Sequence, residues 1–134
     1  MARSKSIAPR CLILDSGAVI GWARGDVRAR ALIARALELG VDVRIPTAVL
    51  AETLRGGPRD APVHRVRAAV DVFPQTEDVA RVAGALLGRT RGKNTVDALV
   101  AAEAVQTGAD IATSDPKDLS ALVSAYSHIT VLPV

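Results

Sequence analysis

Short apolar runs alternate with longer amphipathic segments along the chain, and that alternation restricts its fold more than any other feature. Residues 11–14, 41–45, 72–73, 109–112 and 129–132 are too short for helices and rich in aliphatic side chains, so they read as strands. Between them, helical spacing of apolar residues predicts helices over 27–39, 48–55, 64–70, 77–87, 94–107 and 116–126, with a short turn or helix over 16–23. Asp26, Thr47, Thr76 and Asn94 or Thr95 stand where N-caps are wanted, and Gly40 and Gly108 stand where helices stop. Gly56-Gly57-Pro58 is a break, and residues 88–93 read as a basic loop. Strands that alternate with helices fold as an α/β domain with a central, mostly parallel sheet of four to five strands flanked by helices. Right-handed crossovers then bring the carboxyl ends of the first, second and fourth strands to one edge.

Four acids fall at that edge. Asp15 closes the first apolar run and Asp115 follows the fourth by three residues. Glu52 and Asp97 lie near the starts of two expected helices. Alone, each has an ordinary role: Asp15 and Asp115 as N-caps, Glu52 as an i,i+3 partner of Arg55, Asp97 in a capping box with Asn94. Gathered together they conflict. Two like charges ~4 Å apart repel by about 4 kcal/mol at an effective dielectric of 20, and a domain has only about 5–15 kcal/mol of stability in all. Either a cation neutralises them or some take up protons. Carboxylate oxygens are the ligands a hard divalent ion prefers, and such a site is suited to phosphodiester hydrolysis. His64 and His128 fall elsewhere, so a carboxylate or metal-bound hydroxide must serve as base.

At 134 residues and 49% apolar content the chain can bury a core of its own. A single domain is expected over residues 11–134, with residues 1–10 as a flexible N-terminal tail. The lone Cys11 excludes an intramolecular disulfide and fits a reducing cytosol, and no run approaches the ~20 apolar residues of a membrane span. Neither a signal peptide nor an anchor is expected, so the location is cytoplasmic. Residues 1–93 carry 16 of the 17 Lys and Arg, whereas residues 94–134 carry Lys117 against five acids, so a polyanion could be held by one part and met by acids in the other. With one Trp, one Tyr and one Phe, aromatic platforms are scarce, so a polyanion such as a nucleic acid would be held mainly through its phosphates. Arg24, Arg28, Arg55, Arg59, Arg89, Arg91 and Lys93 are the candidates to contact such a polyanion, with the stretch Arg89 to Lys93 leading into Asp97. A mean hydropathy of +0.25 suits a chain that covers apolar surface with another.

Taken together, Leu14-Asp15-Ser16-Gly17-Ala18, Pro46-Thr47 with Leu50-Ala51-Glu52, the stretch from Asn94 to Ala102, and Ala112-Thr113-Ser114-Asp115-Pro116-Lys117-Asp118-Leu119 resemble the PIN-domain ribonucleases, and within them the VapC toxins of bacterial toxin–antitoxin pairs. The resemblance runs from Leu12 to Leu132. It implies a three-layer α/β fold and a Mg²⁺- or Mn²⁺-dependent endoribonuclease whose catalytic and metal-binding quartet is Asp15, Glu52, Asp97 and Asp115. It further implies inhibition by a cognate antitoxin and a toxin homodimer. Ser16 and Thr113 would be supporting hydroxyls, Asn94 would fix the Asp97 helix, and Asp118 would be an auxiliary acid. The extra residues before the first strand, and Leu119 where the family often has an aromatic, depart from the pattern without touching the quartet. A non-catalytic RNA-binding module of the same fold is the alternative. An aspartyl-phosphate phosphatase fits poorly, because Gly17 stands where a second Asp is wanted.

Overall fold

The computed structural model describes residues 10–134. Of the tail expected over residues 1–10, all but Arg10 lies outside the described residues. The elements, in order, are β1 (Cys11–Leu14), α1 (Ser16–Ala23), α2 (Val27–Glu38), β2 (Asp42–Pro46), α3 (Thr47–Thr53), a 3-10 turn (Pro58–Asp60), α4 (Ala61–Ala69), β3 (Asp71–Phe73), α5 (Glu77–Thr90), α6 (Thr95–Thr107), β4 (Asp110–Thr113), α7 (Pro116–Leu122) and β5 (Val131–Pro133).

All five strands are parallel, in the order β3-β2-β1-β4-β5. The chain winds outward from β1 to β3 on one side, then crosses back to place β4 against the other edge of β1. β1 and β4 are therefore the pair at which the winding reverses, with Leu14 opposite Ala112 and the Asp15 N–H bonded to the Ala112 carbonyl at 3.1 Å. In open parallel sheets the ligand crevice forms outside the carboxyl ends of such a pair.

Aliphatic packing holds the layers together. Ile13, Leu14, Ile45 and Ile111 from the strands, with Ile33, Leu86 and Leu119 from the helices, are wholly buried. Helix α6 is buried nearly all round, through Ala98, Val100, Ala101, Ala102 and Ala104, as a helix enclosed by the core must be. Its one buried charge, Glu103, is answered by the Gln75 side chain, which donates to Glu103 at 3.3 Å and to the Leu99 carbonyl at 3.1 Å and accepts from Ala48 N–H at 3.4 Å. Cys11 is half-buried, and burial pushes its thiol up to about 11, which leaves it an unreactive packing residue.

Asp26, Thr76 and Asn94 cap their helices as expected, accepting N–H groups from Ala29, Val79 and Asp97. Several ends differ from expectation. Thr47 is the first residue of α3 and Pro46 is its cap, because proline has no N–H to leave unpaired when the chain turns directly from strand to helix. Helix α4 starts at Ala61 rather than residue 64, with Pro62 in its first turn. Helix α5 continues through Gly88 to Thr90, so the first half of the expected basic loop is helical; a Cβ at Gly88 would meet nothing within 4 Å. Helix α7 stops at Leu122 instead of Tyr126.

Candidate metal centre

Asp15 leaves β1 with an extended backbone and caps α1, its Oδ1 accepting the Ala18 N–H at 3.0 Å. It is 5% exposed. Its Oδ2 accepts the hydroxyl proton of Thr113, the last residue of β4, and that same hydroxyl accepts the Asp115 N–H at 2.8 Å. The wholly buried Thr113 thus ties the first acid to the fourth across the β1–β4 seam. Burial pushes the Asp15 carboxyl above its ordinary range, and the hydrogen bonds from Thr113, Ala18 and Gly17 pull it back in part. The two turns touch closely: a Cβ on Gly17 would lie 2.6 Å from the Ser114 Cβ, so only glycine lets them approach.

Glu52, near the end of α3, is exposed and accepts a hydrogen bond from the Ser16 hydroxyl. Its neighbour Arg55 bonds the carbonyls of Ala51 and Leu54 rather than Glu52, so the i,i+3 pair does not form.

Asp97 sits in the first turn of α6, where its N–H donates to the Asn94 side chain at 3.0 Å. Its Oδ2 is buried and has no hydrogen-bond partner. Desolvation first, then the charges of Asp15, Asp115, Glu52 and Asp118, raise the Asp97 carboxyl to about 6. Asp115 precedes α7 but makes no side-chain capping bond, so its carboxylate is left uncommitted. Asp97, Asp115 and Asp118 each offer a carboxylate oxygen, all within 4.8 Å of one another. Oxygens bound to one hard cation at ~2.1–2.6 Å lie roughly 3–5 Å apart, so the spacing fits a single divalent ion. Among the described residues no other group of acids, histidines or cysteines is so disposed.

All four expected acids therefore lie around the carboxyl ends of β1 and β4, but Asp118, expected as an auxiliary, belongs to the tightest group. Of the three foremost basic candidates, Lys93 lines a recess of about 240 Å³ with Asn94, Asp97 and Asp118. Arg89, on α5, stacks over the Tyr126 ring at 5.7 Å, and Arg91 ends that helix in a left-handed conformation with φ 58°.

The sequence profile of the PIN domain matches residues 12–122, a stretch that spans all of these acids. The chain belongs to the PIN-domain family. No curated protein matches this PIN-domain chain by sequence. Among solved structures it is similar to VapBC2 from Rickettsia felis bound to a DNA fragment from their promoter, with TM-score 0.74, 12% identity, and 92% of this chain and 98% of that chain covered. A toxin–antitoxin complex from Klebsiella pneumoniae gives TM-score 0.67 at 20% identity, covering 89% and 95%. VapBC-1 from nontypeable Haemophilus influenzae gives 0.67 at 15% identity, covering 92% and 97%. At these identities the likeness is one of fold. Among the described residues no helix of the PIN-domain chain is long and apolar enough to cross a membrane.

Proposed function

We propose that this PIN-domain chain is a divalent-metal-dependent endoribonuclease of the cytoplasm and the toxin of a toxin–antitoxin pair. One observation carries the proposal: Asp97 keeps a buried carboxylate oxygen without a partner, and its carboxylate lies within 4.8 Å of those of Asp115 and Asp118. A buried, unpaired, charged oxygen is expensive, and a cation at that point relieves both the desolvation and the repulsion.

Asp97, Asp115 and Asp118 would hold Mg²⁺ or Mn²⁺, with Asp15 beside them as the fourth-segment partner through Thr113. When bound, the ion supplies an acidified water and offsets charge on the phosphoryl oxygens. Thr113 fixes Asp15 while leaving each of its oxygens a free lone pair, and Asn94 holds the first turn of α6 so that Asp97 stays in place. Glu52 is exposed and bound on one oxygen by Ser16, so its other oxygen is available to take a proton from the attacking water. No covalent intermediate is required, because the attacking group on this reading is the metal-bound water.

The partners follow by likeness: a cognate antitoxin that covers the acidic crevice, and a second copy of the chain as a homodimer. Purified protein incubated with single-stranded RNA and Mg²⁺ or Mn²⁺ should cleave it, EDTA should stop the reaction, and folded Asp15→Asn or Asp97→Asn proteins should be inert. Undiminished cleavage by Asp97→Asn would refute the assignment. RNA that binds the metal-loaded protein but is never cut would leave a non-catalytic RNA-binding module. Co-expression with its antitoxin should abolish cleavage, and light scattering should give twice the chain mass.

A further inference from the structure

Two hollows flank α1 and meet at the turn that follows it, at Arg24 and Gly25. The first, of about 770 Å³, begins at Gly17 and Ser114, the neighbours of the metal-site turns, and runs along α1 to Arg24 and Arg28. The second, of about 350 Å³, shares Arg24 and Gly25 with the first and continues to Trp22, Arg30 and Arg65. Taken end to end, the two make a groove that starts beside the metal-site turns, crosses the Arg24–Gly25 turn between α1 and α2, and ends at Pro62 and Arg65 of α4.

Its charge is one-sided. Arg24, Arg28, Arg30 and Arg65 come from three separate elements, and all four are exposed. The ion pairs among the described residues involve Arg10, Arg35, Arg44 and Arg81, so none of the groove arginines is neutralised by one. The single acid in the lining, Asp26, is already committed to the Ala29 N–H at 3.0 Å as the cap of α2. Gly25, with φ +79°, lets the chain turn there without a side chain, and the Arg30 Nη1 lies only 3.7 Å from where a Cβ would stand. Beside these cations the lining includes Trp22, partly exposed and packed at its base against the core. Cations at intervals with an aromatic face between them are the surface a single-stranded nucleic acid uses, phosphates on arginines and a base on the ring.

We infer that this groove is the track for the RNA strand that flanks the scissile phosphate, with Arg24, Arg30 and Arg65 as phosphate-positioning residues and Trp22 as a stacking platform. The inference rests on the nuclease proposal for the direction of the strand, but its binding component is measurable without cleavage. It moves the main RNA contact away from the Arg89 to Lys93 segment, of whose basic residues only Lys93 lines the recess at Asp97 and Asp118.

The test is a pair of double variants, Arg30→Glu with Arg65→Glu and Arg30→Ala with Arg65→Ala, each checked for an unchanged melting temperature. Binding of labelled single-stranded RNA of about 20 nucleotides is measured in EDTA by fluorescence anisotropy across a salt series. Each arginine–phosphate pairing removed should lower the log–log salt slope by about 0.7, so the Ala pair should lower it by about 1.4. The emission of Trp22, the only tryptophan, should change when RNA is added to the otherwise unmodified protein. With Mg²⁺, the KM for the long RNA should rise roughly tenfold at unchanged kcat, while an RNA of about four nucleotides, too short to reach α4, should be cut as before. Folded variants that bind RNA with undiminished affinity and slope overturn the track; so does a parent protein that binds no RNA. If RNA binding is undiminished while binding of an acidic partner protein is lost, the groove belongs to that partner and the proposal fails. A parent protein that binds RNA through these arginines yet cuts nothing overturns the nuclease proposal alone.

Discussion

Replacing Asp97 by asparagine separates the cost of the acidic cluster from its use. In the metal-free protein the Asp97 carboxyl is raised from an ordinary 3.8 to about 6 by burial and by the charges of Asp15, Asp115, Glu52 and Asp118. Each unit of difference between folded and unfolded chains is worth about 1.4 kcal/mol, so holding Asp97 ionised costs up to about 3 kcal/mol. Solvent reaches part of the side chain, and screening reduces this to about 1–3 kcal/mol. Because the folded value lies above the unfolded one, the contribution of this group to stability is complete below pH 4. It is lost as pH rises through 6. Asp97→Asn removes the titration. The variant should therefore melt about 3–10 °C above the parent in EDTA at pH 7.5, and the gap should close near pH 4. Added Mg²⁺ should reverse the order: binding to the folded state stabilises the parent by about 2.7 kcal/mol at a hundredfold excess over Kd, and leaves the variant unmoved. Differential scanning calorimetry at both pH values, with and without Mg²⁺, reads all of this. A variant less stable than the parent in EDTA at pH 7.5, or a gap that persists at pH 4, would refute the reasoning.

Thr113→Val keeps the shape of a buried residue but removes the hydroxyl shared by Asp15 and the Asp115 N–H; urea denaturation should show a loss of about 1.5–3 kcal/mol, and RNA cleavage should fall with it. Gln75→Ala takes a partner from Glu103, the Leu99 carbonyl and the Ala48 N–H together, and should cost about 1–3 kcal/mol by the same assay while leaving metal affinity intact. The Asp60 carboxylate is held below its ordinary range by N–H donors from Gly56 at 2.7 Å and Arg55 at 3.0 Å. Its stabilising contribution is present above pH 4 and lost as pH falls through the lowered value, so Asp60→Asn should reduce the urea midpoint at pH 7 and match the parent in strong acid.

Periodicity was enough for the sheet because β1 and β4 are runs of buried aliphatics and helices such as α2 and α5 carry a visible apolar stripe. The placement of Asp15 and Asp115 followed from that, since a residue just past a parallel strand has nowhere else to point but the crevice. What local pattern did not disclose depends on contacts distant in sequence. Gly88 reads as a breaker, yet on an exposed turn of α5 it costs only about 1 kcal/mol and the helix passes through it. Asp60 carries no local signal in its Gly- and Pro-rich stretch, yet it is the buried clasp of that loop. Asp118 is implied only as an auxiliary acid; in the structure it stands in the first turn of α7, and with Asp115 making no capping bond, both acids lie within reach of Asp97. The groove arginines were unreadable as a group, because Arg24, Arg30 and Arg65 become neighbours only when α4 packs beside α1.

The acids that surround Asp97 come from β1, α3 and the segment after β4, and the pairing of β1 with β4 spans about a hundred residues of chain. Long separations of this kind make assembly wait for the distant segment. A polypeptide still being translated therefore has no complete centre until Asp115 has left the ribosome and β4 has docked. Truncated products that end before that strand would carry Asp15, Glu52 and Asp97 without Asp115 and Asp118, so the proposed hydrolytic chemistry would stay silent until nearly the whole domain has been made.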